Sequence, residues 1–253
     1  MDFINIFGIK FPTYSLMIIS GVFIGNILAY MVIKKKKLCL EDFIMVEVYG
    51  LAFGMLGAKL LYLWVSKDMI SWNRIFEKEY FLTLMEGGFV FYGGLFGGII
   101  GVIIAHVIHK IDVKLYFENL IFCIPLVHAF GRIGCYFAGC CYGIPYSGFF
   151  HVRYHNIQYS LCDIDLFPVQ LVEAIGLFIL AIVFYNLTNK KAEMKNVYLY
   201  FVFYSILRFI VEIFRFDSQR GSLWMLSTSQ WISLFIFLAM SIVLFIKNKK
   251  YYQ

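Results

Sequence analysis

A short stretch near the middle of the chain carries the residue types that could do chemistry. From Gly131 to Gly143 it reads Gly-Arg-Ile-Gly-Cys-Tyr-Phe-Ala-Gly-Cys-Cys-Tyr-Gly, at the end of a long apolar segment. The guanidinium of Arg132 needs an anionic partner in such surroundings, and glycines let another backbone or a ligand approach closely. Thiols can bind a metal, form a disulfide or react. A segment that only crosses a bilayer needs none of these, so we interpret the stretch as a functional site.

Three charged residues nearer the C-terminus share one helical face. Arg208, Glu212 and Arg215 are spaced i, i+4 and i+7. One interpretation is a self-neutralising group at a helix end, whose long side chains reach the membrane interface. The other is a cationic site in which Glu212 holds Arg208 and one arginine is in surplus. Since Arg132 adds a second surplus charge, and two guanidiniums facing one cavity would repel without an anion between them, the pattern favours phosphate binding.

The cysteines of the central stretch admit several interpretations. A zinc site of Cys135, Cys140 and Cys141 with His128 departs from the usual spacing of zinc motifs, so we predict no metal. A disulfide from Cys140 or Cys141 to Cys162 would suit loops on an oxidising side of the membrane. A reactive thiolate is also consistent, because a nearby guanidinium lowers the pKa of a thiol. Packing as a small hydrophobe is a further interpretation for Cys135.

The composition predicts a membrane protein. Of 253 residues, 61% are hydrophobic and 15% are charged, whereas soluble domains have about 25% charged residues. Apolar runs of roughly 20 residues can cross about 30 Å of hydrocarbon as helices. We predict an all-α bundle of seven transmembrane helices that forms a single domain over 1–253. The spans are about 12–33, 43–65, 86–109, 115–137, 167–187, 197–215 and 228–246.

Basic residues indicate how the bundle is oriented. Lysine clusters follow the first, third, fifth and seventh spans, and the positive-inside rule places them in the cytoplasm. The clusters are Lys34 to Lys37, Lys110 with Lys114, Lys190, Lys191 and Lys195, and Lys247, Lys249 and Lys250. The N-terminus is then outside and the C-terminus cytoplasmic. Because the location of the charges matters more than their sum, the net charge of +6 is not evidence for nucleic acid binding, and we expect no nucleic acid partner. Nearly all ionisable residues within spans fall in their outer halves, so we expect one polar chamber open to the outer leaflet.

Two groups of glycines surround Tyr92 in the third predicted span. Gly97, Gly98 and Gly101 have the small-xxx-small spacing that lets helices pack closely. The other group consists of Gly87, Gly88, Gly93 and Gly94. We predict that this second group gives the span an irregular start, which is tolerated at membrane depth where it lines a cavity, and that Tyr92 points into the chamber.

Over almost its whole length the chain resembles the prolipoprotein diacylglyceryl transferases. That family's central Gly-Arg-(Ile/Leu)-Gly signature, which ends in glycine, is matched here by Gly131 to Gly134, Gly139 and Gly143. Its other motifs appear as Tyr14-Ser15-Leu16-Met17, Glu86-Gly87-Gly88, Gly93-Gly94-Leu95, Pro168 with Gln170 and Glu173, and Leu207-Arg208 through Glu212 to Arg215, with Asp217 following. Seven spans with the N-terminus outside is also the topology of the family.

The resemblance implies a transferase of the bacterial cell membrane that needs no cofactor and works towards the outer leaflet. It would move a diacylglyceryl group from phosphatidylglycerol to the lipobox cysteine of a prolipoprotein signal peptide and release glycerol phosphate. Arg132 and Arg208 would bind the phosphate and stabilise its developing charge. Glu212 and Arg215 would fix Arg208, and Tyr14 would line the head-group pocket. The other substrate-binding positions implied are Gly134, Gly139, Gly143, Cys135 and Cys140.

The sequence departs from the family where the acceptor would be activated. Tyr92 replaces the family's histidine, Cys135 its asparagine, Cys140 its glutamate and Lys59 the arginine of its second span. A phenol with a pKa of about 10 is a weak general base at neutral pH. The predicted catalytic residues are Arg132, Arg208, Tyr92 and Glu212. Two alternatives stay open, namely a family member that uses another envelope acceptor and a lipid-binding or lipid-moving protein without transferase activity.

Overall fold

A computed structural model describes residues 3–6, 9–154, 163–188, 194–216 and 222–251. This described part contains nine α-helices and two short hairpins. Strands β1 (Phe3–Ile6) and β2 (Ile9–Pro12) pair antiparallel and precede α1 (Thr13–Lys36), and α2 spans Leu40–Val65. A 3₁₀ turn (Trp72–Arg74) is followed by α3 (Lys78–Glu86), α4 (Phe91–His109), α5 (Val113–Leu120) and α6 (Cys123–Ala138). The remaining elements are α7 (Val169–Leu187), α8 (Lys195–Ile213), the hairpin of β3 (Ser222–Leu223) and β4 (Leu226–Ser227), and α9 (Thr228–Tyr251).

Six of these helices are long and apolar enough to cross a membrane, namely α1, α2, α4, α7, α8 and α9. Helices α5 and α6 would add a seventh span as a broken pair, bent by 53°. Large apolar side chains on the spans are exposed, such as Phe23 at 66% and Trp64 at 71%, as expected where lipid replaces water. The prediction of an all-α membrane bundle is confirmed, and the chain is a multi-pass membrane protein.

The fourth predicted span, 115–137, is not one continuous helix. α5 ends at Leu120 and α6 begins at Cys123, with Pro125 in the first turn of α6. Proline has no backbone N–H to donate to Ile121, and its ring disfavours helical backbone at the residue before it. The break therefore lies where the proline weakens a continuous helix.

The third predicted span, 86–109, begins later than expected. α3 ends at Glu86, residues 87–90 are not helical, and α4 begins at Phe91. Lys59 of α2 donates hydrogen bonds from Nζ to the carbonyl oxygens of Leu84 and Gly87, the latter at 2.6 Å. A cation at the C-terminal end of a helix satisfies its last carbonyls. Lys59 therefore stabilises the end of α3.

The predicted irregular start at Gly93 and Gly94 is wrong, because both residues lie within α4. A Cβ atom on Gly93 would be 2.3 Å from the carbonyl oxygen of Gly57 in α2, and one on Gly97 would be 2.2 Å from that of Phe53. Such distances leave no room for a side chain, so α2 and α4 pack backbone against backbone. Close helix packing, which was predicted for Gly97, therefore also accounts for Gly93. The irregular backbone is confined to residues 87–90.

The chain divides into two compact units. One consists of Met1–Lys35 and Phe117–Gln253, and the other of Lys36–Tyr116. In the first unit, Leu166, Leu177 and Phe184 are fully buried. The buried carboxylate of Glu118 accepts a hydrogen bond of 2.8 Å from the backbone N–H of Asn196 at the start of α8. An anion at a helix N-terminus is favourable, so this contact stabilises the first turn of α8.

Candidate functional site

Glu173 near the start of α7 lies between three arginines. Its side chain is 1% exposed. One carboxylate oxygen, Oε2, is 3.0 Å from Nε of Arg132 and 3.9 Å from Nη1 of Arg215, and the other, Oε1, is 3.5 Å from Nη1 of Arg208. Arg132 lies on α6, Arg208 on α8, and Arg215 just after α8. One buried carboxylate therefore joins three elements that are far apart in the sequence.

A second carboxylate holds Arg208 from its other side. Nη2 of Arg208 is 2.5 Å from Oε2 of Glu212, the ion pair that the i, i+4 spacing predicts. Oε1 of Glu212 accepts a hydrogen bond of 3.1 Å from the hydroxyl of Ser227. Ser227 in turn exchanges hydrogen bonds with Gln230, which is the capping box that begins α9. The start of α9 thus positions Glu212, and Glu212 positions Arg208.

These five side chains form what we call the charge cluster. Its members are Arg132, Glu173, Arg208, Glu212 and Arg215. The sequence argument required an anion between the arginines, and the carboxylate of Glu173 lies there. Among the described side chains of the cluster, three guanidiniums converge on two carboxylates. Because a guanidinium forms strong charge-assisted hydrogen bonds with anions, the cluster suits an anionic ligand.

His128 lies beside the charge cluster. Its Nε2 is 4.0 Å from Oε1 of Glu173, too far for a hydrogen bond, and its ring packs edge-to-face against Tyr204 at 5.6 Å between centroids. This is the environment of a packed core histidine. The geometry provides no direct role for it in proton transfer.

Helix α6 ends in a turn that brings its last cysteines together. Gly139 has the left-handed backbone (φ 67°), its N–H donates to the carbonyl oxygen of Tyr136, and the N–H of Cys140 donates to that of Cys135 at 3.1 Å. This pair of hydrogen bonds is the Schellman motif, which favours glycine at the left-handed position. The Sγ atoms of Cys135, Cys140 and Cys141 all lie within 4.8 Å of one another. We call these three residues the thiol cluster.

The electrostatics of the thiol cluster differ between its members. Hydrogen bonds from Cys135 and Cys140 lower the pKa of the Cys141 thiol below its ordinary value, and the guanidiniums of Arg215 and Arg132 lower it further. Hydrogen bonds with Cys135 and Cys141, together with burial, raise the pKa of the Cys140 thiol. Within the cluster, the thiol of Cys141 is therefore more easily deprotonated than that of Cys140.

The backbone after α6 is held by α7 and by the end of α8. Nε2 of Gln170 donates to the carbonyl oxygen of Cys140 at 2.8 Å. Gly143 forms an isolated β-bridge with Arg215, and a Cβ atom on Gly143 would be 2.4 Å from the carbonyl oxygen of Phe167. Gly139 and Gly143, predicted as substrate-binding residues, thus have a clear role in shaping this turn.

Tyr14 and Gly134 meet where α1 packs on α6. A Cβ atom on Gly134 would be 3.0 Å from Cδ2 and 3.1 Å from Cα of Tyr14. The Tyr14 side chain is partly exposed and lies within electrostatic range of Arg132 and of the thiol cluster. The structure therefore brings Tyr14, the charge cluster and the thiol cluster into one region.

Not every predicted site residue can be placed in this region. Tyr92 belongs to α4 in the other unit, where it is 53% exposed and its ring contacts Phe91 edge-to-face. Cys162 and Asp217 lie outside the described residues. Sequence reasoning named Glu173 only as part of a motif. The signal that could have found it is a lone acid in an otherwise apolar span.

Comparison with known proteins gives a match over the whole bundle. The family model described as prolipoprotein diacylglyceryl transferase matches residues 2–246. A phosphatidylglycerol–prolipoprotein diacylglyceryl transferase of Clostridium tetani is 34% identical over 232 residues, 91% of this chain and 91% of the relative. Proteins of the same name are 31% identical in Clostridium perfringens, over 97% of this chain and 94% of the relative, and 30% identical in Rickettsia bellii, over 93% and 90%.

Proposed function

Because the chain belongs to the prolipoprotein diacylglyceryl transferase family, we propose that its charge cluster binds phosphatidylglycerol for transfer of the diacylglyceryl group to a prolipoprotein cysteine. The chain is a membrane transferase. The observation that carries the assignment of the site is Glu173, which holds the guanidiniums of Arg132 and Arg208 together. The family match favours neither a lipid-moving protein nor a different envelope acceptor.

A pair of fixed guanidiniums suits the charge change of this reaction. The acceptor sulfur attacks the glycerol carbon that bears the phosphate, the carbon–oxygen bond breaks, and glycerol phosphate leaves with the electron pair. A phosphodiester carries one negative charge, whereas the released monoester carries about −1.5 to −2 at pH 7. Arg132 and Arg208 stabilise the additional charge as it develops, so they bind the transition state more strongly than the lipid.

In this proposal the two phosphate-binding arginines are held in place by Glu173, Glu212 and Arg215. Each guanidinium is fixed by a buried ion pair before the lipid arrives, so little reorganisation is needed during the reaction. Tyr14 and Gly134 shape the wall beside Arg132 and contact the head group. Cys135 and Cys140 belong to the thiol cluster, which lies within electrostatic range of Arg132, and in this proposal they face the acceptor.

The site is proposed to lie towards the outer leaflet of a bacterial cell membrane. In the first unit, Tyr14 lies in the first turn of α1 and Ser227 precedes α9, while the lysines lie at the other ends of the same helices. Lys34 and Lys35 are at the end of α1, and Lys247 is near the end of α9. Lysine-rich ends face the cytoplasm, which supports an N-terminus outside and a cytoplasmic C-terminus.

The test uses purified protein, phosphatidylglycerol vesicles and a synthetic lipobox peptide. We expect release of glycerol phosphate and a peptide heavier by one diacylglyceryl group, both abolished when the lipobox cysteine of the peptide is replaced by serine. Glycerol phosphate release that continues with the serine peptide would indicate another acceptor. Binding of phosphatidylglycerol with no release under any condition would contradict the proposed function.

A further inference from the structure

The thiol cluster has the geometry of a metal site. Within the described residues, it is the one group of cysteine, histidine or carboxylate side chains close enough to hold an ion. In a tetrahedral site with Zn–S bonds of about 2.3 Å, sulfurs are about 3.8 Å apart. The Sγ atoms are at present no more than 4.8 Å apart. Side-chain rotations that move the sulfurs by about 1 Å therefore complete the site. His128, which spacing suggested as a partner, is not a member of this group.

The backbone that carries the thiol cluster is fixed. Cys135 is part of α6, the Schellman turn holds the N–H of Cys140, and Gln170 holds its carbonyl. Cys141 has a left-handed backbone (φ 59°), a conformation that is unfavourable for a residue other than glycine. It lies in the segment that brings the three thiols together. Strain of this kind is concentrated at functional sites.

The charges nearby suit an anionic metal complex. Three thiolates and one Zn²⁺ carry a net charge of −1, and guanidiniums of the charge cluster lie nearby. Arg215 and Arg132 both interact electrostatically with Cys141. In a region of low dielectric constant such compensation is needed before three thiolates can gather.

From these observations we propose that Cys135, Cys140 and Cys141 bind one Zn²⁺ and that its fourth position takes the acceptor cysteine as a thiolate. Catalytic zinc sites have three protein ligands and one open position, whereas structural sites are closed. Cys140 is exposed, so the open position is accessible to a peptide. This inference rests on the proposed function, and it supplies the acceptor activation for which the chain lacks the family's histidine.

The step balances without a further reactant. The acceptor thiol loses its proton to water when its sulfur binds the zinc, since metal ligands must be deprotonated. The zinc-bound sulfur then forms a bond to the glycerol carbon, and the carbon–oxygen bond to the phosphate breaks. The oxygen keeps the electron pair in glycerol phosphate, which the charge cluster holds. The thioether product is a weaker zinc ligand than the thiolate and leaves.

The experiment uses the full chain in detergent, purified under reducing conditions from cells supplied with zinc. A second preparation made without reductant is digested under non-reducing conditions, and its peptides are examined for a disulfide by mass spectrometry. Metal content is measured in the wild type, in Cys135→Ser, Cys140→Ser and Cys141→Ser, and in the control Cys39→Ser, which alters an exposed free cysteine of the other unit. The wild type is also stripped with a chelator and reloaded with Co²⁺ or Zn²⁺. Binding of phosphatidylglycerol verifies that each variant is folded.

We expect about one zinc per chain in the wild type and in Cys39→Ser, and less than about one fifth of that in the three other variants. Co²⁺ should give a thiolate-to-metal charge-transfer band and tetrahedral ligand-field bands that Cys140→Ser lacks. Stripping should abolish lipidation of the peptide, and Zn²⁺ should restore it.

Three results would overturn the inference while leaving the proposed function intact. They are a metal-free wild type that lipidates the peptide, equal zinc content in wild type and Cys140→Ser, and a disulfide from Cys140 or Cys141 to Cys162 in active protein. If neither zinc-loaded nor stripped protein releases glycerol phosphate, the proposed function fails and the activating role fails with it. The cobalt spectrum then decides the metal site alone.

Discussion

Oε2 of Glu173 lies 3.0 Å from Nε of Arg132, and this contact joins the start of α7 to the last turns of α6. The same carboxylate reaches Arg208 through its other oxygen. Two guanidiniums that would otherwise repel are thereby held at one place. The structure thus uses one buried acid to assemble a cationic site.

Replacing Glu173 by glutamine tests this relationship. Glu173→Gln keeps the size and hydrogen-bonding shape of the side chain but removes the charge between the arginines. Breaking a buried ion pair costs about 3–5 kcal/mol, and a misplaced catalytic group costs about 10²-fold in rate. We expect a lower unfolding temperature in detergent and a fall of about 10²-fold in kcat/KM.

The matched control is Glu77→Gln, which breaks the exposed pair between Arg74 and Glu77. Exposed pairs contribute about 0–1 kcal/mol, so neither stability nor transfer should change measurably. Equal effects of the two substitutions would show that Glu173 has no special role.

Arg132→Lys tests whether the phosphate is bound by a planar fork. Lysine keeps the charge but offers a single ammonium group, which cannot bind two phosphate oxygens side by side or span to Glu173 in the same way. We expect kcat/KM to fall by about 10²-fold while the protein stays folded. Arg74→Lys, at an exposed ion pair, is the control and should keep wild-type turnover. A fully active Arg132→Lys would refute the bidentate clamp.

The large features of the fold follow from the sequence for physical reasons. Bilayer thickness sets the length of the apolar runs, so the spans could be located, and the Arg208–Glu212 pair follows from the 3.6-residue period. The position of Glu173 could not be derived this way, because its contacts join three elements and depend on how helices pack. The thiol cluster likewise depends on one turn at Gly139. Spacing alone argued against a metal there, since zinc-motif patterns do not include a ligand returned by a helix cap.

The contact between Gly134 and Tyr14 predicts a size limit at the site. In Gly134→Ala the added methyl would be 3.0 Å from the Tyr14 ring and 3.1 Å from its Cα, so α1 must shift. We expect weaker binding of phosphatidylglycerol vesicles and a several-fold rise in KM. Gly131→Ala is the control, because its methyl would meet only Cδ1 of Ile18, at 3.9 Å. Since alanine favours helix over glycine by about 1 kcal/mol, Gly131→Ala should be at least as stable as the wild type. Equal losses in both variants would contradict the role of Tyr14.

Tyr92 is the remaining predicted catalytic residue, and the zinc inference determines what its substitution should do. Loss of a general base typically costs about 10²-fold or more, so a Tyr92→Phe variant within about threefold of wild-type kcat/KM would exclude that role for the phenol. We expect this mild outcome, because the acceptor thiol is activated at the thiol cluster. Tyr92→His, which restores the residue type of the family, is the companion variant and should not regain activity in chelator-stripped protein. A loss of about 10²-fold in Tyr92→Phe with full zinc content would instead show that the phenol takes part in the chemistry.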